Sequence, residues 1–173
     1  NSGDLFIKSV NWKPVITAPH GYVLGLAFGI ILESDLIVAE EGTQIQLTET
    51  SRGLGGSKYW SLMQYRGATT FSTEIALTGR FFGAEEGHAA GFIDRIAPKG
   101  KHLEVAKELA QQINANPPLS VRATVRTRRL KMEQVGRESG AQLNALKLYL
   151  TEDFHEAAKA FTEKRKPNKF KGR

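Results

Sequence analysis

The stretch from Pro14 to Leu32, PVITAPHGYVLGLAFGIIL, carries no formal charge and constrains the fold of this chain more than any other segment. A run this apolar has to be buried, in protein or in lipid. A membrane-spanning helix needs about 20 predominantly apolar residues in an unbroken run. This one is interrupted by Pro19, His20 and the glycines Gly21, Gly25 and Gly29, so it reads as an interior segment of a soluble domain with no membrane partner. The glycine spacing has two readings. On a helix it leaves a stripe without side chains; at a loop-to-helix junction it exposes backbone amides.

At 173 residues and 40% hydrophobic, the chain has material for one compact domain with a core. It has no cysteine, which excludes disulfides and thiolate metal sites. A reducing compartment fits: cytoplasm, or mitochondrial matrix in a eukaryote. The segment NSGDLFIKSV has neither the basic start nor the long apolar core of a signal peptide. His20, His88, His102 and His155 show no HExxH or HxxxH spacing, so no metal site is expected. The net charge of +6 equals the content of one segment, KRKPNKFKGR at Lys164–Arg173, with the rest balanced. Nucleic-acid binding needs basic charge spread over a face, so no nucleic-acid partner is expected. The tail reads either as a solvated terminus or as a contact for phosphates or an acidic partner.

Along the chain, PVITA reads as a buried strand, HGYVLG as the turn after it, Leu26–Leu32 as a buried helix, and LIVA and TQIQL as two short strands. Strand, helix and strand in that order point to a βαβ-type unit. SKYWSLMQYRG then reads as a helix with Ser57 as its cap and Gly67 as its stop, and ATTFSTEIALTGR as another ending at Gly79. GAEEGHAAG is a short helix, FIDRIA a strand, and HLEVAKELAQQINAN a long helix with Leu103, Ala106, Leu109, Ala110 and Ile113 on one face. A helix from the Pro117-Pro118 pair to Met132, a separate SGAQLNALKLYL element and a helix capped by Thr151 complete an α/β-then-α order.

Few residues carry chemistry. Glu49, after a strand and before GLGG, is either an ordinary loop carboxylate or a catalytic group held on a rigid scaffold. Arg52 stands within pairing distance in sequence. GLGG lacks the Lys-Ser/Thr of a phosphate-binding loop and is no dinucleotide fingerprint. His20 is a general base or a structural hydrogen-bonding group. Tyr59, Trp60 and Tyr65 read as core or interface residues.

Three pieces in order, KPVITAPHGYVLGLAFGIILESDLIVAEEGTQIQLTETSRGLGG, ALTGRFFGAEEGHAAGFIDRIAP and FTEKRKPNKFKG, resemble the enoyl-CoA hydratase/isomerase (crotonase) superfamily over Lys13–Arg173. The resemblance implies an α/β spiral of ββα units over 1–98, partial at its N-terminal end, where NSGDL looks like a shortened SAGxDL. It implies a helical region over 99–173 that forms a homotrimer or a hexamer.

The implied substrate is an acyl-CoA thioester, with no separate cofactor. An oxyanion hole of two backbone N–H groups would stabilise an enolate, one at Leu26 and the other at Ser2 or Gly3. Gly25, Gly29 and Lys164 would bind substrate, Lys164 at the nucleotide end of CoA, leaving Lys169, Lys171 and Arg173 solvated. Of the two hydratase glutamates, one maps onto Glu49 and the other onto Gly29, which has no side chain. A one-glutamate site resembles the family's double-bond isomerases. The alternatives are hydration or hydrolysis through His20, and a non-catalytic acyl-CoA binder or oligomeric scaffold.

Overall fold

The computed structural model describes residues 12–173. Its first turn comprises β1 (Ile16–Thr17), β2 (Tyr22–Leu24) and α1 (Leu26–Glu33). The second comprises β3 (Leu36–Glu40), β4 (Gln44–Gln46), a 3₁₀ turn at Thr50–Arg52, α2 (Ser57–Arg66) and α3 (Thr69–Thr78). There follow β5 (Phe81–Gly83), α4 (Ala84–Ala89), β6 (Arg95–Ala97), α5 (His102–Asn114), α6 (Pro118–Ala145) and α7 (Glu152–Thr162). Strands of successive turns pair to build two walls. β3 lies parallel to β1 and β6 in one, and β4 lies parallel to β2 and antiparallel to β5 in the other. Ile16 sits opposite Leu36 and Tyr22 opposite Gln44, so one ββα turn stacks on the next.

The core lies between the walls and the helices. Ile37, Val38 and Ala39 of β3 are fully buried, as a strand covered on both faces requires. Phe28 of α1 meets Phe82 and Phe92 edge-on at 6.1 and 6.3 Å, and Phe71 meets Phe82 at 5.2 Å. Edge-to-face aromatic contacts add about 0.5–1.5 kcal/mol each beyond area burial. Gly67 and Gly79 end α2 and α3 in the left-handed conformation, as their sequence positions predict. Thr151 caps α7 by accepting from the Phe154 N–H at 3.2 Å.

Four local expectations are corrected. Tyr22–Leu24 is a strand, not part of a turn; the chain bends at Gly21 before it and turns at Gly25 after it, and three residues are too few to display alternation. Phe81–Gly83 is a strand that the sequence reading left unassigned. Ser57 is the first residue of α2 rather than its cap: Gly56 takes the cap position, buried against Leu47, and the Ser57 hydroxyl has no partner among the described residues. Finally, α6 does not stop at Met132. Gly136 and Gly140 look like breakers, but Gly136 packs on Lys58 and Leu62 of α2, and Ser139 shares a 2.7 Å hydrogen bond with Ser61. Tertiary packing carries the helix through two poor helix formers.

The basic tail is exposed, as expected, but it lies along the start of α7 through surface ion pairs and hydrogen bonds. Lys171 and Arg173 pair with Glu152, the Lys171 and Gly172 N–H groups donate to Asp153, and Arg165 pairs with Glu156. Glu152 and Asp153 form the first turn of α7, where acidic groups are favoured by the helix dipole. Among the described residues, no helix is long and apolar enough to cross a membrane.

One buried cluster ties α6 to the first turn. The Asp35 carboxylate accepts from Arg129 Nη2 at 2.5 Å, Arg128 Nη1 at 3.0 Å and the Val15 N–H at 2.8 Å. Arg129 is 1% exposed and also donates to the Lys13 carbonyl at 2.8 Å. Removing one partner of a buried pair costs about 3–5 kcal/mol, whereas replacing both by apolar residues costs far less. Asp35→Ala is therefore expected to lower stability by about 3–5 kcal/mol in urea unfolding, and Asp35→Leu with Arg129→Met by much less.

Candidate functional site

One glycine lets the start of α1 approach the chain that follows β4. Gly25 precedes α1 at φ 51, ψ −114, a conformation strained for any residue with a side chain. A Cβ there would stand 2.9 Å from the Thr48 hydroxyl and 3.8 Å from Glu49 Oε1. The chain can pass beside Glu49 only because the side chain is missing. Leu26 follows as the first residue of α1. Its N–H has no carbonyl four residues back within the helix, and it sits at the positive end of the helix dipole.

Leu26, Gly29 and Glu49 line one cavity of about 290 Å³, at the small end for ligand pockets. Leu54 and Gly55 add to its wall, and Leu143, Asn144 and Leu148 close it from the end of α6 and the turn after it. A Cβ on Gly55 would run into the Leu143 side chain, so this glycine is what lets α6 come down over the cavity.

Glu49 sits at the start of the 3₁₀ turn, where its carbonyl accepts from the Arg52 and Leu54 N–H groups at 3.1 and 2.8 Å. Its carboxyl is half-buried. Burial pushes its pKa above the ordinary carboxylate range, opposed by the backbone N–H groups of Glu49 and Thr48 and by the Thr48 hydroxyl. One oxygen, Oε2, is buried with no hydrogen-bond partner among the described residues. A buried acceptor left open is costly in a resting protein and is commonly found where a ligand or proton will arrive.

The space that a side chain on Gly29 would need is filled. A Cβ there would be 2.8 Å from the Tyr59 hydroxyl oxygen and 2.9 Å from its ring. Tyr59 is fixed edge-on against Phe28 at 5.8 Å. Burial first, then the charges of Glu49 and Glu33, push its phenol up to about 12. Glu33 and Lys58 also line the cavity and meet each other at 3.1 Å, with Glu33 2% exposed. Sequence reasoning missed Glu33, Lys58 and the site role of Tyr59. An apolar helix ending in Glu33 and an aromatic cluster on α2 carry no motif, and only the packing of α1 on α2 joins them.

The other expected site residues lie elsewhere. Lys164 is outside this cavity, in a cleft with Arg52, Phe161 and Arg165, where the Arg52 guanidinium stacks 3.7 Å from the Phe161 ring. Arg52 thus meets Phe161 rather than Glu49. His20 is also outside the cavity, with its ring 4.8 Å from His102, whose Nδ1 lies 2.7 Å from Glu40. Ser2 and Gly3 fall outside the described residues.

The model of the family described as enoyl-CoA hydratase/isomerase matches residues 6–173. The chain is 34% identical over 158 residues to a putative enoyl-CoA hydratase of Thermus thermophilus, with 90% of this chain and 62% of that protein covered. It is 35% identical over 161 residues to a mevalonyl-coenzyme A hydratase of Aspergillus fumigatus, with 90% and 59% covered. Among solved structures, a carnitinyl-CoA dehydratase from Mycobacterium avium superposes with a TM-score of 0.81 at 30% identity, covering 94% of this chain and 65% of that one. The chain therefore spans less than two thirds of the length of these relatives. With the crotonase fold shared, the family model matched almost end to end and relatives a third identical, the chain belongs to the enoyl-CoA hydratase/isomerase family.

Proposed function

We propose that this protein acts on an acyl-CoA thioester, with Glu49 as the single base of the site and the Leu26 N–H as one donor of the oxyanion hole. The observation that carries the reading is the state of Glu49: a half-buried carboxyl with an open oxygen, in the same cavity as Leu26, the first residue of α1. The other carboxylate of the cavity, Glu33, is engaged by Lys58, and Gly29 supplies none. A single working carboxylate fits migration of a double bond better than addition of water by two carboxylates.

In this reaction Glu49 takes a proton from C2 of a 3-enoyl thioester. The C2–H electron pair becomes a C1=C2 bond and the carbonyl pair moves onto the thioester oxygen, giving a dienolate whose charge the Leu26 N–H meets. The protonated Glu49 then returns the proton at C4 and the 2-enoyl thioester forms, with no net change in charge or composition. A preorganised donor of this kind contributes about 3–4 kcal/mol to the transition state. We assign Lys164, in its cleft with Arg52 and Arg165, to the nucleotide end of CoA, where cations suit phosphate. Exposed Leu130, Leu146, Leu150 and Phe161 on the helical side fit association of copies into a trimer or hexamer.

Incubation with a 3-enoyl-CoA and a trans-2-enoyl-CoA tests the reading. Double-bond migration is expected; water addition as the sole reaction overturns the one-carboxylate assignment, and tight binding without turnover favours the non-catalytic binder. Glu49→Gln should reduce kcat by about 10²–10⁴-fold, the usual range for a general base, while acyl-CoA still binds by calorimetry.

The pH dependence follows from the direction of the Glu49 shift. The base must be ionised to accept a proton, and burial raises its pKa, so kcat should fall as the pH drops through a midpoint above the ordinary carboxylate range. An acid limb at or below that range in a pH–rate profile would contradict it.

A further inference from the structure

The Tyr59 hydroxyl lines the cavity, lies against Gly29 and has no hydrogen-bond partner among the described residues. Its ring is held by Phe28, and the hydroxyl cannot swing away toward a side chain on α1, because Gly29 has none. Around it the cavity wall is apolar where Leu26, Leu54 and Leu143 contribute. The neighbouring charged pair, Glu33 and Lys58, is joined at 3.1 Å. A phenol with pKa near 12 stays protonated at every working pH and offers a hydrogen to whatever occupies the cavity.

An alkyl chain seated there would strip water from this hydroxyl and give nothing back. Sites built around a buried donor reject the analogue that lacks its partner, because the donor is then left unpaired. An acyl group with an oxygen of its own pays no such penalty. We propose that Tyr59 makes this a site for oxygen-bearing acyl groups: its hydroxyl, set in the space left by Gly29, donates a hydrogen bond to a hydroxyl or carbonyl oxygen carried on the acyl chain beyond the thioester.

The inference rests on the acyl-CoA reading and deepens it by naming the substrate class. Glu49 remains the base. Tyr59 binds and orients, and no proton leaves it.

The test is equilibrium binding, by calorimetry, of butanoyl-CoA, 3-hydroxybutanoyl-CoA and 4-hydroxybutanoyl-CoA to the protein and to Tyr59→Phe. At least one hydroxyacyl thioester is expected to bind about tenfold more tightly than butanoyl-CoA, equivalent to about 1.4 kcal/mol, and the ratio should fall toward one in Tyr59→Phe. Equal affinity for all three in the unmodified protein overturns the proposal and leaves the acyl-CoA reading standing. Discrimination that survives in Tyr59→Phe overturns the role of Tyr59. Absence of binding by any of the three overturns the acyl-CoA reading and the proposal with it.

Discussion

The structure depends on the Asp35 carboxylate and the two arginines that converge on it. Asp35 stands in the link between α1 and β3, and Arg128 and Arg129 stand in the middle of α6, so one carboxylate joins the α/β part to the longest helix. Arg129 also holds the Lys13 carbonyl, and Arg66 and Arg128 both donate to the Ser34 carbonyl, at 2.7 and 3.0 Å. The guanidinium donors of this knot all come from helices, and their acceptors come from the chain around β1 and β3. The cost of burying guanidinium groups is offset only when the geometry supplies this many partners. Such a knot has one low-energy arrangement, which sets the axial position of α6.

That position matters several helical turns away. Leu143 and Asn144 lie at the far end of α6, four turns beyond Arg129, and they close the cavity over Glu49. A helix is stiff over this length, so a pin in its middle and the Ser61–Ser139 hydrogen bond further along decide how closely its end approaches Gly55. The walls of the site therefore come from both halves of the chain, while Glu49 and Leu26 come from the α/β half alone.

How much of this was legible in sequence differed by feature. The buried run of β3, the α1 segment and the helix stops at Gly67 and Gly79 follow from local rules, since each depends on a few consecutive residues. Glu49 and Leu26 were legible through the order of motifs around them, and the absence of a carboxylate at Gly29 was legible directly. β2 and β5 were not, because three-residue strands exist only by virtue of their partners in the wall. The length of α6 was hidden by Gly136 and Gly140, which look like breakers in sequence, although Gly136 is held by packing on α2 and Ser139 by its bond to Ser61. The placement of the tail along α7 was unreadable because it depends on Glu152 and Asp153 lying in space beside residues that follow them by nearly twenty positions. Glu33, Lys58 and Tyr59 gather around Gly29 only when α1 meets α2.

This last group changes the meaning of the missing carboxylate. A glutamate replaced by glycine in an otherwise intact cavity would leave a void that water could fill, and water beside Glu49 would invite hydration. Tyr59 occupies that space: its ring packs on Phe28 and its oxygen lies where the first atoms of a side chain would be. A phenol of raised pKa can donate a hydrogen bond but cannot take a proton from water near neutral pH. Glycine at 29 and tyrosine at 59 are thus one feature, not two, since any side chain at 29 would displace the ring. The pair supplies no base, fills the space beside α1 and leaves a neutral donor in the same cavity as Glu49.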